Sequence, residues 1–259
     1  MARALVTGAG MRLGRAMALY LARRGHDVAV HYASSRTGAE ATAAEIEGMG
    51  RRACALQADL LDEAAVTPLV DRAAQDLGGP LTVLVNNASI FEYDRIETAT
   101  RASWDRHFES NLRAPFVLTQ RFAAQAPEAA TDAAGEPVAQ ALVVNMIDQR
   151  VWKLTPEFAS YTLAKAGLWA LTRTAAQALA PRVRVNAIGP GPTLQGARQS
   201  EDHFARQRAA TVLGRGADPA GITAALGYFL DAAAVTGQML AVDGGQHLAW
   251  QTPDVLGTE

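Results

Sequence analysis

The chain has 259 residues, 49% hydrophobic and 19% charged, with a formal net charge of -2 and one cysteine, Cys54. This length can bury a single large core, and the composition is that of a soluble globule. The balance of charge argues against nucleic acid or an anionic membrane surface as partner, and the lone cysteine against a disulfide framework or thiolate cluster; no apolar run reaches membrane-spanning length.

From the N-terminus, Ala4–Thr7 reads as a short strand that runs into Thr7-Gly8-Ala9-Gly10-Met11-Arg12-Leu13-Gly14, followed by an amphipathic helix over Leu13–Arg24. Strand, glycine turn and helix form the context in which a backbone cradles a pyrophosphate at a helix N-terminus. The spacing fits G-x-x-x-G-x-G with Arg12 in the middle glycine position. Further strands are expected at Val28–Tyr32, Arg52–Gln57, Leu81–Asn86, Ala141–Ile147, Val183–Ile188 and Gln238–Val242. Helical patterns cover Gly38–Met49, Glu63–Leu77, Ala102–Ala126, Phe158–Leu179 and Pro219–Leu230. Pro127–Pro137 reads as an exposed insertion loop and Gly189–Ser200 as irregular, within a substrate loop near 189–215; residues 246–259 read as a tail. Val- and Leu-rich strands separated by crossover-length helices predict an α/β fold. The expectation is one domain over 1–259, a doubly wound parallel sheet of seven strands with helices on both faces.

In such a sheet, ligands bind beyond the carboxyl ends of the strands. That edge collects the glycine turn, Asn86-Asn87-Ala88-Ser89-Ile90-Phe91, Asn145-Met146-Ile147-Asp148 and Gly189-Pro190-Gly191-Pro192-Thr193. Tyr161 and Lys165, four apart, share one helix face. A phenol beside an ammonium loses its proton more readily, so the pair can act as a tunable proton donor. The end of the second strand, His31-Tyr32-Ala33-Ser34-Ser35-Arg36, lacks the acid that NAD-selective sites place there. Two serine hydroxyls and Arg36 suit a 2′-phosphate, so NADP(H) is the expected cofactor. The five histidines, His26, His31, His107, His203 and His247, show no ligand spacing, and no metal is expected. By themselves the residues leave Phe91 open between loop anchor and stacking wall, Asp148 between cap and substrate acceptor, and Asn111 between surface residue and functional one.

Taken together, Thr7-Gly8 with Gly14, Ala58-Asp59-Leu60, Asn86-Asn87-Ala88, Asn111, Tyr161 with Lys165, Gly189-Pro190-Gly191 and Val242-Asp243-Gly244-Gly245 resemble the short-chain dehydrogenase/reductase family over nearly the whole chain. The resemblance implies a Rossmann-type domain, a nicotinamide cofactor, hydride transfer and a homotetramer; the lone cysteine, Cys54, fits a reducing cytoplasm. Two positions depart from the usual pattern: Asp148 stands where serine is usual, and Arg12 where glycine is. Both departures, with Arg12-Leu13-Gly14-Arg15, His31-Tyr32, Asn87-Ala88-Ser89, Phe91 and Asn145-Met146-Ile147-Asp148, resemble the pteridine reductases and their bacterial dihydropteridine or dihydromonapterin reductase relatives. The loop after Gly191 does not follow that branch.

From this resemblance the catalytic set is Asp148, Tyr161, Lys165 and Asn111. Asn111 opens a helix distortion and holds a water that links Lys165 to solvent. Lys165 bonds the nicotinamide ribose and lowers the pKa of Tyr161. The cofactor set is Gly8, Arg12, Leu13 and Gly14; His31, Tyr32, Ser34, Ser35 and Arg36; Ala58, Asp59 and Leu60; Asn87, Ala88 and Ser89; Met146; Tyr161 and Lys165; and Pro190, Gly191, Thr193 and Leu194. The substrate set is Arg12, Ser89, Phe91, Asp148 and Tyr161, with Phe91 sandwiching the pterin ring and Arg12 approaching phosphates and substrate. The expected function is NADPH-dependent reduction of a pterin or dihydropterin ring. Rivals are a carbonyl reductase acting on a 3-oxoacyl thioester, ketone or sugar, and a catalytically silent NADP-binding sensor.

Overall fold

The computed structural model describes residues 2–196 and 199–250. Among the described residues, the strands in chain order are β1 (Arg3–Val6), β2 (Asp27–Tyr32), β3 (Ala53–Gln57), β4 (Val83–Asn86), β5 (Ala130–Thr131), β6 (Pro137–Val138), β7 (Ala141–Met146), β8 (Val183–Pro190) and β9 (Met239–Val242). The helices among the described residues are α1 (Arg12–Arg23), α2 (Arg36–Gly48), α3 (Glu63–Val66), α4 (Leu69–Leu77), α5 (Arg101–Phe108), α6 (Ala114–Gln125), α7 (Ala159–Leu179), α8 (Glu201–Ala209) and α9 (Pro219–Asp231). Seven strands join one parallel sheet, as expected, and their order is β3-β2-β1-β4-β7-β8-β9.

Successive strand residues point to opposite faces, and here both faces are apolar. Ala4, Val6, Val28, Val30 and Val144 pack beneath α1, α2 and α9, through Met17, Ile46 and Phe229. Leu5, Ala29, Leu84, Val143 and Val185 pack on the other side, against Leu69, Leu118 and Phe122 of α4 and α6. Because all seven strands run parallel, their carboxyl ends share one edge. The order reverses between β1 and β4, and there the ends are locked: Thr7 Oγ1 accepts from Asn87 N and Ala88 N, both at 2.9 Å. Below the edge, Asn86 donates to Asn145 (2.8 Å), and Asn145 donates to Thr172 (2.9 Å), tying β4, β7 and α7 together.

Several elements differ from the sequence expectation, each for a local reason. The single helix expected over Glu63–Leu77 is cut into α3 and α4, because Pro68 has no N–H to donate and stands at the N-cap of α4. The helix expected over Ala102–Ala126 is α5, a π-helical turn at Glu109–Arg113 and α6. The insertion around Pro127–Pro137 carries the β5–β6 hairpin, turned by Asp132, whose carboxylate accepts from Ala134 N and Glu136 N. Gly189 and Pro190 belong to β8 and not to an irregular segment. The substrate loop contains α8, which buries no residue and so has no apolar period, although its Ser200 cap, acidic first turn and basic last turn are ordinary helix signals. Of the expected tail, residues 251–259 lie outside the described residues. Among the described residues, no helix is long and apolar enough to cross a membrane.

Candidate active site

The glycine turn after β1 has room for backbone only. A Cβ on Gly14 would lie 2.2 Å from the Gly8 carbonyl oxygen and 2.6 Å from Asn87 Nδ2, so only glycine fits where α1 begins. Asn87 Nδ2 donates to Thr7 O at 2.8 Å and Gly8 O at 3.3 Å, fixing the turn from β4. The N-cap of α1, Met11, supplies no side-chain acceptor, so the first N–H groups of the helix are left for an anion. Ser35, the N-cap of α2, stands beside the turn, because a Cβ on Gly10 would approach Ser35 Oγ to 2.7 Å. A backbone cradle, an uncapped helix start and Ser34-Ser35-Arg36 at its flank fit the pyrophosphate and 2′-phosphate of a nicotinamide dinucleotide. Asp59 turns its carboxylate onto Leu61 N (3.0 Å), shaping the loop after β3.

His31 braces this turn from inside. It is buried; Nδ1 accepts from Gly8 N at 3.1 Å, which places the proton on Nε2 for donation to Ala58 O, also at 3.1 Å. Burial lowers its pKa from 6.5 to about 4. Between these values the unfolded chain takes up a proton that the folded chain refuses, so stability falls as pH drops through that window. The full shift corresponds to about 3 kcal/mol. Thermal melts from pH 7 to pH 4 should show this loss, and His31→Gln, which cannot be protonated, should flatten it. An acid limb identical in the variant would assign the loss to other groups.

The second half of the site lies where β7 meets α7. Tyr161 is in the first turn of α7, and its hydroxyl donates to Asp148 Oδ2 at 3.0 Å. Asp148 Oδ1 accepts from Arg150 N at 2.8 Å, capping the short turn Gln149–Val151. Lys165, one helical turn after Tyr161 and fully enclosed, donates to Met146 O at 2.8 Å. Burial lowers the Lys165 pKa to about 8, with Asp148 opposing the shift. Burial also raises Asp148 above the usual carboxylate range, against the pull of Arg150 and Tyr161. Asn111 sits in the π-helical turn, accepting from Ile90 N at 3.0 Å and donating to Ile90 O at 2.8 Å. Its amide therefore holds the segment after β4, and the bland reading as a surface residue is excluded.

Next to the phenol stands an aromatic wall. Phe91, 44% exposed, stacks on Phe158 at a centroid distance of 4.2 Å and 12°, and meets Tyr161 edge-on at 4.7 Å. The Arg150 guanidinium covers Phe158 at 5.2 Å. The Ser89 hydroxyl donates to Ile90 O at 3.4 Å, in the same segment as Phe91. Across the edge, Gly191 N donates to Val242 O at 3.0 Å and Thr193 Oγ1 donates to Gly191 O at 3.0 Å, which orders the start of the substrate loop.

A glycine-rich dinucleotide turn, a Tyr161–Lys165 pair and Asn111 in a distorted helix thus share one sheet edge. A family model described as enoyl-(acyl carrier protein) reductase matches residues 8–247. The chain belongs to the short-chain dehydrogenase/reductase family. It is therefore an oxidoreductase. It is 46% identical to the FolM alternative dihydrofolate reductase 1 of Brucella canis, solved in complex with NADP, with 98% of this chain and 97% of that one covered and a TM-score of 0.90. An uncharacterised oxidoreductase of Methylorubrum extorquens is 35% identical over 250 residues, 93% of this chain and 96% of that protein. The 3-oxoacyl-(acyl-carrier-protein) reductase FabG of Staphylococcus aureus is 32% identical over 251 residues, 95% of this chain and 98% of that protein.

For this short-chain dehydrogenase/reductase, several expected site residues act differently from the sequence reading. The pKa of Tyr161 is raised, not lowered: burial comes first, the Asp148 charge second, and the lysine is bound to Met146 O. Arg12 has main-chain partners that its place among the glycines did not reveal. Its guanidinium donates to Gln195 O at 2.9 Å and Leu194 O at 3.1 Å, latching the glycine turn to the substrate loop. Its φ of 53° lies in the left-handed region, which accounts for the glycine usual at that position. Leu13, Tyr32 and Met146 pack their side chains into the core, and His31, Ala58 and Leu60 are also buried, so these side chains are not open to a ligand. The sequence reading missed Phe158, Arg150, Asp94, Ser160 and His107. Only the stretch Phe158-Ala159-Ser160, immediately before Tyr161, offered a positional signal.

Proposed function

We propose that this chain is an NADPH-dependent reductase of a pterin or dihydropterin ring. The observation that carries the reading is Asp148: a half-buried carboxylate paired with the catalytic phenol, beside an aromatic wall. A flat heterocycle gains from offset stacking on Phe91, and its amino and ring N–H groups need an acceptor that Asp148 provides. The likeness to the Brucella dihydrofolate reductase supports the same substrate class and cofactor. NADPH supplies hydride when bound. The chain holds it through the Gly8–Gly14 turn, Ser34, Ser35 and Arg36. Reduction of a ring C=N bond places hydride on carbon and a proton on nitrogen. Tyr161 and Asp148 share a hydrogen bond in which burial disfavours charge on either, so the pair can hold that proton at neutral pH and release it to a ring nitrogen. Lys165 keeps a positive charge beneath them and orients the β7 end through Met146 O.

Steady-state rates with NADPH on dihydrobiopterin, dihydrofolate, an acetoacetyl thioester and a ketone panel test the reading. Pterins should lead. Preference for the thioester would install the second reading, a carbonyl reductase, which the similarity to the staphylococcal 3-oxoacyl reductase favours.

NADPH should be preferred over NADH, because the end of β2 carries no acid and the start of α2 carries Ser34, Ser35 and Arg36. Arg36→Ala should lower kcat/KM for NADPH about tenfold, the scale of one charge-assisted hydrogen bond, while leaving NADH unchanged. Equal use of both cofactors by the wild type would refute this.

A homotetramer in the cytoplasm completes the proposal. Trp104, Phe116 and Leu163 on α5, α6 and α7 are exposed, and Phe108, Leu112, Phe116 and Leu171 line an open hollow of about 390 Å³ on the same helices. Apolar helix faces of this kind commonly meet a partner. Light scattering at micromolar concentration should give four times the chain mass, and a monomer would remove the proposal.

A further inference from the structure

Behind the aromatic wall lies a closed polar network that the proposed reaction does not use. Asp94, His107 and Ser160 are each at most 2% exposed. The α7 N-cap, Phe158, supplies no side-chain cap, and Asp94 takes over that task from the segment after β4. Its main-chain oxygen accepts from Phe158 N at 2.7 Å and Ala159 N at 3.4 Å; its Oδ1 accepts from Ser160 N at 3.2 Å. Its Oδ2 accepts from Ser160 Oγ and, at 3.3 Å, from Ser103 Oγ. His107 Nε2 accepts from Glu92 N at 3.1 Å, so the ring proton sits on Nδ1 and is donated to Ser160 Oγ at 2.7 Å. The direction of every bond is thus fixed, from His107 to Ser160 to Asp94.

A buried carboxylate is costly unless its lone pairs are met, and here they are met by one N–H of the first turn of α7, that of Ser160, and by two hydroxyls. The two segments that this network joins, 90–95 and 158–160, are the ones that carry Phe91 and Phe158. Phe158 has a φ of 57°, a conformation that aromatic residues rarely adopt, and it persists where the surroundings over-determine it. The His107 ring also packs on Tyr161 at 5.9 Å.

We propose that Asp94, Ser160 and His107 are positioning residues that hold Phe91 and Phe158 in their parallel stack against Tyr161, and that selectivity for a flat ring depends on them. The flat-ring part rests on the pterin reading; the positioning part does not. Such a network fixes one arrangement of the wall, where apolar packing would permit several.

The test uses the full chain with Ser160→Ala and, because loss of a buried hydroxyl could impair folding, Asp94→Asn. The asparagine keeps an acceptor for Ser160 N but turns a donor toward Ser160 Oγ, against the fixed direction of the network. Hydrogen–deuterium exchange should quicken at least tenfold in segments 90–95 and 156–163 and stay unchanged in α9. With NADPH saturating, KM for dihydrobiopterin should rise about tenfold, while kcat, NADPH affinity and KM for a small ketone stay within about threefold. Unchanged exchange in both segments overturns the proposal, as does a kcat loss with KM unaltered, which would place the network behind Tyr161 chemistry. Wild-type enzyme inactive on all pterins would refute the proposed function, while the exchange measurement would still decide the positioning role.

Discussion

Tyr161→Phe is expected to lower kcat by about 10²–10⁴ while NADPH affinity stays within a few-fold. The hydroxyl is the group that donates to Asp148 Oδ2, and the dinucleotide cradle is built elsewhere, from Gly8–Gly14 and Asn87. The substitution keeps the ring, and with it the edge contact to Phe91. It also leaves one oxygen of the half-buried Asp148 carboxylate without its donor, which should cost about 1 kcal/mol of stability. Single-turnover rates, NADPH fluorescence titration and a melting curve on the same preparation separate the three effects. Near-normal turnover would take the phenol out of the mechanism. Lys165→Ala should be worse on both counts, since Met146 O loses its donor and the site its positive charge.

Asp148→Ser should cut kcat/KM for a dihydropterin by at least an order of magnitude and raise activity on simple ketones. A carbonyl reductase wants a neutral hydroxyl there, because a carboxylate repels the developing oxyanion; a pterin needs the acceptor. Serine can still cap the turn at Gln149–Val151 through its hydroxyl, as Asp148 Oδ1 does toward Arg150 N, so the local backbone should hold. The ratio of pterin to ketone kcat/KM, wild type against variant, is the quantity to compare. If the wild type prefers ketones and the variant leaves pterin turnover unchanged, the carbonyl reading replaces the pterin one. Phe91→Ala should raise KM for pterins by the equivalent of about 1–3 kcal/mol, the scale of base–aromatic stacking. Part of that effect will reflect the lost partner of Phe158.

The sequence alone determined the seven main-sheet strands, four of the six expected helices as single elements and the other two as divided ones, and the edge at which the site lies. These follow from short apolar runs, helical period and short glycine-bearing turns, all of them local in the chain. It also marked Asp148, Tyr161, Lys165 and Asn111, whose motifs span a few residues. Tertiary structure alone decided what those groups do. The phenol's pKa rises because folding removes water from it and brings a carboxylate 13 residues away into contact, which the Tyr161–Lys165 spacing could not reveal. Arg12 reads as a phosphate ligand beside its glycines, yet its partners, Leu194 and Gln195, come from the substrate loop, 182 and 183 residues on. The wall behind the site has the same character: Phe91 finds Phe158, and Asp94 reaches Ser160 across 66 residues, only once β4 and α7 are set side by side. Burial and long-range pairing are properties of the folded interior, where the dielectric is low and each polar group must find a partner, and no local pattern of residues encodes them.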